Sequence, residues 1–134
     1  MSDVTALGFD YGERQIGVAV GQSISRTATP LTTLAAHAGQ PNWIDIQNLI
    51  REWRPEILIV GKPSTADGKP HSLVPAIERF AGRLHGRFGL PVEFVDERLS
   101  SYEAQAITKS RNCPVDAVAA CFILETWLNL PSAA

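Results

Sequence analysis

The chain has 134 residues, of which 45% are hydrophobic and 19% are charged, and its formal net charge is −2 at pH 7. This length fits a single domain over residues 1–134 that buries a core without disulfides, and the charge excludes a protein that coats nucleic acid non-specifically. No apolar run is as long as a membrane span and the first residues lack the features of a signal peptide, so we expect a cytoplasmic protein without a membrane partner.

The first predicted elements are two strands joined by a tight turn, over residues 7–21. Large side chains of the first strand share one face, and the other face carries only small residues and one acid: Ala6, Gly8, Asp10 and Gly12. The glycines would let a hydrated metal ion or a phosphate group approach the backbone beside Asp10. The alternative is a plain surface aspartate at a hairpin turn, because Asp and Gly are common turn residues.

The next segments alternate between strands and helices. Residues 27–34 are rich in threonine and predict a third, antiparallel strand, in which Pro30 indicates a sheet edge or a bulge. Pro41 is expected to be the first residue of a helix that Pro55 stops. The apolar run that follows, residues 57–60, is typical of a strand buried on both faces by helices.

The helix predicted over residues 75–88 carries a row of arginines on its outer face. Arg79, Arg83 and Arg87 stand one helical turn apart. A row of this kind is most simply a solvated helix surface, but it is also compatible with a ridge that contacts phosphates. Both interpretations stay open at the level of sequence.

The last third of the chain predicts one more strand and two helices. The strand covers residues 91–95, a short helix reaches about Thr108, and Pro114 opens a final helix that ends near Leu128. Three antiparallel strands followed by helix-connected parallel strands predict an α/β fold. We therefore expect a mixed five-stranded sheet flanked by helices.

Acidic residues lie at the ends of elements that chain reversals bring to one edge of this sheet. Asp10 ends the first strand, and Asp96 and Glu97 end the last one. Since successive strand residues point to opposite faces, only one of this adjacent pair is expected to face Asp10. The carboxyl ends of parallel strands are where open sheets bind ligands, so a site is expected at this edge.

Asp116 adds a third acidic position, in the first turn of the final helix. Its simplest role is to complement the helix dipole, which contributes roughly 0.3–1 kcal/mol. However, it shares a stripe with apolar residues that would pack on the sheet, and a lone inward acid is unfavourable unless it is paired or bound to metal. Carboxylates without His or Cys ligands suit Mg²⁺ or Mn²⁺, and two such ions can drive phosphodiester hydrolysis.

Four motifs, in order along the chain, resemble those of one known family. They are Phe9-Asp10-Tyr11-Gly12 with Ile16-Gly17-Val18-Ala19-Val20-Gly21, Ile59-Val60-Gly61-Lys62-Pro63 with Asp67-Gly68, Asp96-Glu97-Arg98-Leu99-Ser100-Ser101, and Asp116-Ala117-Val118-Ala119-Ala120 with Ile123-Leu124. The series spans nearly the whole chain and is similar to the YqgF family, also called RuvX. The resemblance implies a ribonuclease H-like fold, kinship with RuvC-type Holliday junction resolvases, and nuclease action in 5′-end processing of precursor 16S ribosomal RNA.

The resemblance also implies which residues form the site. The family's catalytic acids fall on Asp10, Glu97 and Asp116, which would also be the ligands of Mg²⁺ or Mn²⁺. Glu97 is thereby preferred over Asp96, a choice that strand alternation alone had left open. The connection over residues 104–115 is shorter than is usual for the family, which leaves open whether substrate is held differently there.

The leading hypothesis is a metal-dependent endonuclease that acts on structured RNA. Arg14, Lys62 and Arg98 are candidate contacts to phosphate groups or to the transition state, and each is equally compatible with a plain surface charge. Lys62 stands where the family usually has leucine. Precursor ribosomal RNA is the expected partner, and the protein is expected to be a monomer or a weak homodimer.

Three other functions are compatible with parts of the sequence. A branched-DNA resolvase would use the same acids but calls for a symmetric dimer. An actin-like or sugar-kinase ATPase shares the opening motif but needs a second domain, for which the chain has no room. A non-catalytic nucleic-acid-binding module is the third, although such a module would have little reason to aim Asp116 inward.

Overall fold

The structure, a computed structural model, describes residues 4–63, 72–96 and 115–129. Its elements in chain order are β1 (Thr5–Asp10), β2 (Gln15–Gln22), β3 (Thr27–His37), β4 (Gln40–Pro41), α1 (Trp43–Trp53), β5 (Ile57–Lys62), α2 (Val74–Phe88), β6 (Val92–Asp96) and α3 (Val115–Leu128). The short helix predicted to reach Thr108 lies outside the described residues, as does Pro114. None of the three helices described is long and apolar enough to cross a membrane.

The strands join one sheet in the order β4-β3-β2-β1-β5-β6. Strands β1 to β4 pair antiparallel in succession, and β5 and β6 add parallel to β1 on its other side. The mixed α/β sheet is as predicted, but the described part of the chain gives it six strands rather than five. The additional strand, β4, is two residues long and is turned back onto β3 by left-handed backbone at Ala38 and Gly39, with φ of 50° and 80°.

Each face of the sheet carries its own apolar core, because side chains alternate along every strand. Leu7 and Phe9 of β1 face α1 and α2, whose buried residues are Ile46, Val74, Ile77, Phe80, Ala81 and Leu84. Ala6 and Ala19 face α3, which contributes Ala120, Cys121, Ile123 and Leu124. Strand β5 is apolar throughout because it supplies residues to both cores, as its continuous apolar run predicts.

The proline in β3 lies beside a β-bulge, which confirms one of the two positions predicted for it. The pairing of β2 with β3 shifts between Val18 and Ala19, so that Leu31 is an extra residue next to Pro30. A bulge interrupts the regular ladder, and a residue without an N–H group is tolerated there.

The start of α1 differs from the prediction. Pro41 is the last residue of β4, and Asn42 caps the helix by accepting a hydrogen bond from the backbone N–H of Ile44 to its Oδ1 atom at 3.0 Å. The helix thus begins two residues later than predicted. With the helix starting at Trp43, the side chain of Asn42 satisfies one of the backbone N–H groups that the first turn leaves without an intrahelical partner. It ends at Trp53, just before Pro55, as predicted.

Helix α2 agrees closely with the prediction for residues 75–88. It begins at Val74 and ends at Phe88, where Gly89 takes the left-handed conformation with φ of 69°. The three arginines of the predicted row are all exposed on the outer face: Arg79, Arg83 and Arg87. The inner face of the helix contributes Ile77, Phe80, Ala81 and Leu84 to the core on its side of the sheet.

Candidate active site

Asp10 lies on the small-residue face of β1, as the alternation of the strand predicts. It is the last residue of the strand and is half-buried. Its partner on β2 is Gly17, and the preceding residue on the same face is Gly8, so neither of these two neighbours has a side chain beside the carboxylate. This is the face that α3 covers, since Ala6 and Ala19 belong to the core built around that helix.

Gly8 allows α3 to lie directly on β1. A Cβ atom at this position would be 2.5 Å from Cγ of Leu124 and 3.1 Å from the backbone oxygen of Ala120. At the far end of the helix, a Cβ on Gly21 would be 3.0 Å from Cδ1 of Leu128. Because Gly21 pairs with Ala6 at the start of β1, α3 runs antiparallel to β1.

This packing brings the first turn of α3 to the end of β1. From Ala120, which lies over Gly8, one helical turn back reaches Asp116 after about 6 Å. From Gly8, two strand residues forward reach Asp10 after about 7 Å. These lengths put the first turn of α3, which includes Asp116, toward the end of the sheet where β1 ends.

The acid at the end of β6 that the structure describes, Asp96, does not lie on the face of Asp10. Val95 belongs to the core on the α3 side, and Glu93 accepts a hydrogen bond from Nε1 of Trp127 on α3 at 3.4 Å. Val92 packs against the opposite core. By alternation Asp96 shares the face of Val92, toward α2. Glu97 and Arg98, both predicted site residues, lie outside the described residues.

Lys62 also lies on the α2 side of the sheet. Its Nζ atom is 3.4 Å from Oε2 of Glu78 on α2 and 4.8 Å from the centroid of the Phe94 ring. Both side chains of the ion pair are exposed, so the pair contributes about 0–1 kcal/mol. The structure thus separates Lys62 from Asp10 by the thickness of the sheet, although both residues end strands at the same edge.

Arg14 lies in the turn between β1 and β2, at the sheet edge where Asp10 ends its strand. Its backbone oxygen accepts a hydrogen bond from the N–H of Ala36 at 2.8 Å, and the residue is exposed. It borders an open groove of about 690 Å³ lined by Gly12, Glu13, Arg14, Gln15, Ser72 and Leu73. The groove joins this turn to the start of α2 and is open to solvent.

Tyr11 was not among the predicted site residues, yet it fixes the end of β1. Its hydroxyl donates a buried hydrogen bond to the backbone oxygen of Gly39 at 3.0 Å. Burial raises the pKa of this hydroxyl, as does nearby Glu13, while Arg79 and Arg83 lower it. The bond spans 28 positions of sequence, so no local pattern could have predicted it.

The residues at this edge fit a divalent cation in part. No group of three or more His, Cys, Asp or Glu residues close enough to hold a metal ion occurs in the ranges the structure describes. Of the three predicted ligands, Glu97 lies outside those ranges and only the position of Asp116 in its helix is described. Asp10 supplies the hard oxygen ligand that Mg²⁺ and Mn²⁺ prefer, and the glycines beside it leave space for an ion with its water.

The sequence matches the family model described as RuvX, Holliday junction resolvase, over residues 4–130. A protein of Azotobacter vinelandii with the name "Putative pre-16S rRNA nuclease" is 50% identical over 129 residues, covering 91% of each chain. A protein of Nitrosococcus oceani with the same name is 52% identical over 129 residues, covering 92% of this chain and 85% of that one.

Solved structures of low sequence identity share the fold. RuvC of T. thermophilus in complex with a Holliday junction substrate superimposes with a TM-score of 0.61 at 15% identity, covering 92% of this chain and 93% of that one. The yeast mitochondrial Holliday junction resolvase Ydc2 gives a TM-score of 0.52 at 12% identity, with 92% and 77% covered. The expected ribonuclease H-like fold is thereby confirmed.

Proposed function

The chain belongs to the RuvX family, and from this membership we propose that it is a metal-dependent endonuclease that cleaves structured RNA in the 5′-end processing of precursor 16S ribosomal RNA. Its reaction class is that of a nuclease, a hydrolase of phosphodiester bonds. The choice of RNA is supported by the names of relatives at 50% and 52% identity. We place the protein in the cytoplasm, as an RNA-processing enzyme acting as a monomer or a weak homodimer.

One observation carries the catalytic part of this proposal. Helix α3 packs closely on Gly8, and it runs antiparallel to β1, so its first turn lies toward the end of the sheet where Asp10 ends its strand. This packing supports the proposal that Asp10 and Asp116 belong to one site. Like charges brought together are unfavourable, so an arrangement of this kind favours a bound cation.

Glu97 is the third acid of the proposed site. Val95 faces α3, and a side chain two residues further along an extended strand would return to that face. Asp96, in contrast, faces α2 and is assigned no metal ligand role. Divalent ions bound by Asp10, Glu97 and Asp116, most simply two of Mg²⁺ or Mn²⁺, would activate a water molecule and stabilise the leaving oxygen.

Arg14, Arg98 and Lys62 are proposed to contact the substrate around this site. Arg14 borders the open groove at the β1–β2 turn and is exposed, which supports a contact with a phosphate group. Lys62 is paired with Glu78 on the other face of the sheet, so it would have to leave that partner to reach a phosphate. Its contribution should therefore be smaller than that of Arg14.

The decisive experiment combines cleavage with metal binding. Purified protein is incubated with Mn²⁺ and, in parallel, a fragment of precursor 16S ribosomal RNA with its 5′ leader, a four-way DNA junction and single strands. We expect cleavage of the RNA, and we expect Asp10→Asn to abolish cleavage and weaken Mn²⁺ binding in a calorimetric titration. The melting temperature should stay the same or rise, because the substitution removes a negative charge from a cluster of acids.

Asp45→Asn is the matched control, since it removes an exposed carboxylate from the first turn of α1. It should leave cleavage and Mn²⁺ affinity unchanged. Unchanged Mn²⁺ affinity in Asp10→Asn would contradict the proposed metal site. An intact protein that binds the RNA but cleaves none of the substrates would instead indicate a binding module.

A branched-DNA resolvase is the second candidate, favoured by the description of the matching family model. It would use the same acids but would cleave the junction rather than the RNA. Two symmetric cuts require a two-fold dimer, whereas RNA cleavage at one site does not. Sedimentation of the purified protein with and without the junction therefore separates the two candidates.

A further inference from the structure

We propose that Arg79 and Arg83, on the outer face of α2, bind the phosphate backbone of the substrate where it continues past the candidate active site. The proposal rests on the proposed function in one respect only, namely that the substrate is a nucleic acid. It gives the substrate a path along the α2 side of the molecule. It also separates these two arginines from Arg87, to which the structure gives a different role.

In the part of the chain that the structure describes, neither of the two arginines has a carboxylate partner. Both are exposed, and within the described ranges neither forms an ion pair with an Asp or Glu side chain. The nearest acid on the same helix by sequence, Glu78, is paired with Lys62 instead. Two arginines one turn apart repel each other, so their positions favour a ligand with negative charge.

Their position connects them to the edge of the sheet where Asp10 ends its strand. The Tyr11 ring packs against Phe80 of α2 with ring centroids 5.0 Å apart, and Arg79 immediately precedes Phe80 on that helix. Tyr11 follows Asp10 directly and points to the α2 face of the sheet. The two arginines are therefore beside the end of β1, on the side opposite to α3.

The open groove supplies the connection between these two positions. It is lined by the β1–β2 turn, including Arg14, and by Ser72 and Leu73 at the start of α2. A strand that passes from the β1–β2 turn through this groove would reach the start of α2, the helix that carries Arg79 and Arg83. The groove is open to solvent along its length and contains one acid, Glu13, among its lining residues.

The guanidinium group of Arg87 makes a cation–π contact with Trp43. Its guanidinium carbon is 4.5 Å from the centroid of the Trp43 ring, and that ring also stacks on Phe80 with centroids 5.8 Å apart. A guanidinium held over tryptophan in this way stabilises the packing of α1 on α2. Arg87 is thus a member of the row by spacing, while its main role is in the fold.

The test measures binding without cleavage. A fluorescently labelled RNA hairpin with a single-stranded 5′ extension is titrated with protein in metal-free buffer, over about 50 to 200 mM KCl. The double variant Arg79→Gln/Arg83→Gln should bind roughly tenfold more weakly and should lower the slope of log affinity against log salt by about 1.4–1.8. The loss should be the same for hairpins of different sequence, because phosphate contacts carry no sequence information.

Arg26→Gln serves as the matched control. Arg26 is equally exposed but lies in the β2–β3 turn, at the opposite end of the sheet from Asp10. It should leave affinity and slope unchanged, and equal losses in the control and the double variant would overturn the proposal. The melting temperature of the double variant should not fall, since its replacements relieve repulsion on an exposed helix face.

Cleavage separates this proposal from the proposed function. With Mn²⁺ and saturating protein, the double variant should cleave at the rate of the native chain once RNA is fully bound. A native chain that never cleaves, but whose RNA binding depends on Arg79 and Arg83, would contradict the nuclease proposal alone. A double variant that binds RNA like the native chain would contradict only the proposed role of Arg79 and Arg83 in binding the phosphate backbone. An acidic protein would then be the expected ligand of these two arginines.

Discussion

At the scale of single residues, the structure separates neighbours that the sequence places side by side. Asp10 faces α3 and Tyr11 faces α2, and the same alternation puts Asp96 on the α2 side. Adjacent residues at the end of a strand can therefore have unrelated roles, one in chemistry and one in the fold. Substitutions at such pairs test the proposed roles with the smallest change in surroundings.

Glu97→Gln should mainly reduce cleavage, whereas Asp96→Asn should mainly reduce stability. Glu97→Gln keeps the shape of the side chain but removes a charged ligand, so cleavage should fall by several orders of magnitude with little change in melting temperature. Asp96→Asn should mainly affect stability, by about 1 kcal/mol if a hydrogen bond is lost. Cleavage and melting curves of both variants decide the assignment, and an active Glu97→Gln beside an inactive, stable Asp96→Asn would reverse it.

Tyr11→Phe should lower stability by about 1 kcal/mol at neutral pH, because it removes the buried hydrogen bond to Gly39. The pKa of Tyr11 is raised above 10.0 in the folded state, so the unfolded chain loses its proton first as pH increases. The stability that the hydroxyl contributes should therefore be lost as pH rises from about 10 through the folded-state pKa. Urea unfolding of both proteins from neutral pH upward measures this difference, and a constant difference would contradict it.

At the scale of elements, the contact between β1 and α3 determines where the first turn of α3 lies. Gly8→Ala should destabilise the protein by about 1–3 kcal/mol, because the new Cβ atom overlaps Leu124 and pushes α3 away. Mn²⁺ affinity should fall as well, since the first turn of α3 moves relative to Asp10. Calorimetric titration and urea unfolding measure the two effects.

Gly82→Ala provides the comparison for this substitution. Gly82 lies inside α2, and a Cβ atom there would meet nothing within 4 Å. Alanine is a better helix former than glycine, so this variant should gain about 0.4–1 kcal/mol and keep its Mn²⁺ affinity. If Gly8→Ala behaves like Gly82→Ala, close approach of α3 is not what forms the site.

Elements were predictable where local pattern decides them. The alternation in β1, the apolar run of β5 and the stop of α1 before Pro55 all act within a few residues, and each prediction holds. Strand β4 was missed because a two-residue strand exists only through its pairing with β3. The predicted start of α1 was wrong because the sequence allows two starts, one with Pro41 as the first helical residue and one with Asn42 as the cap. Pro41 pairs with β3 as part of β4, so the helix starts after Asn42.

At the scale of the whole molecule, the mixed sheet followed from the order of elements. The choice between Asp96 and Glu97 did not, because it depends on which face of the sheet α3 covers and on the register of β6 against β5. Tyr11 was missed for the same reason, since its partner Gly39 is distant in sequence. Long-range packing, rather than residue preference, decides each of these details.

The position of α3 also orders events during translation. Its residues are made about 100 positions after β1, which at 5–20 residues per second is a delay of roughly 5–20 s. Until then β1 and β2 have no helix against their small-residue face, and Asp10 has no partner acid from α3. A nascent chain would thus emerge beside ribosomal RNA unable to cut it, and the proposed activity would begin only when synthesis has passed α3.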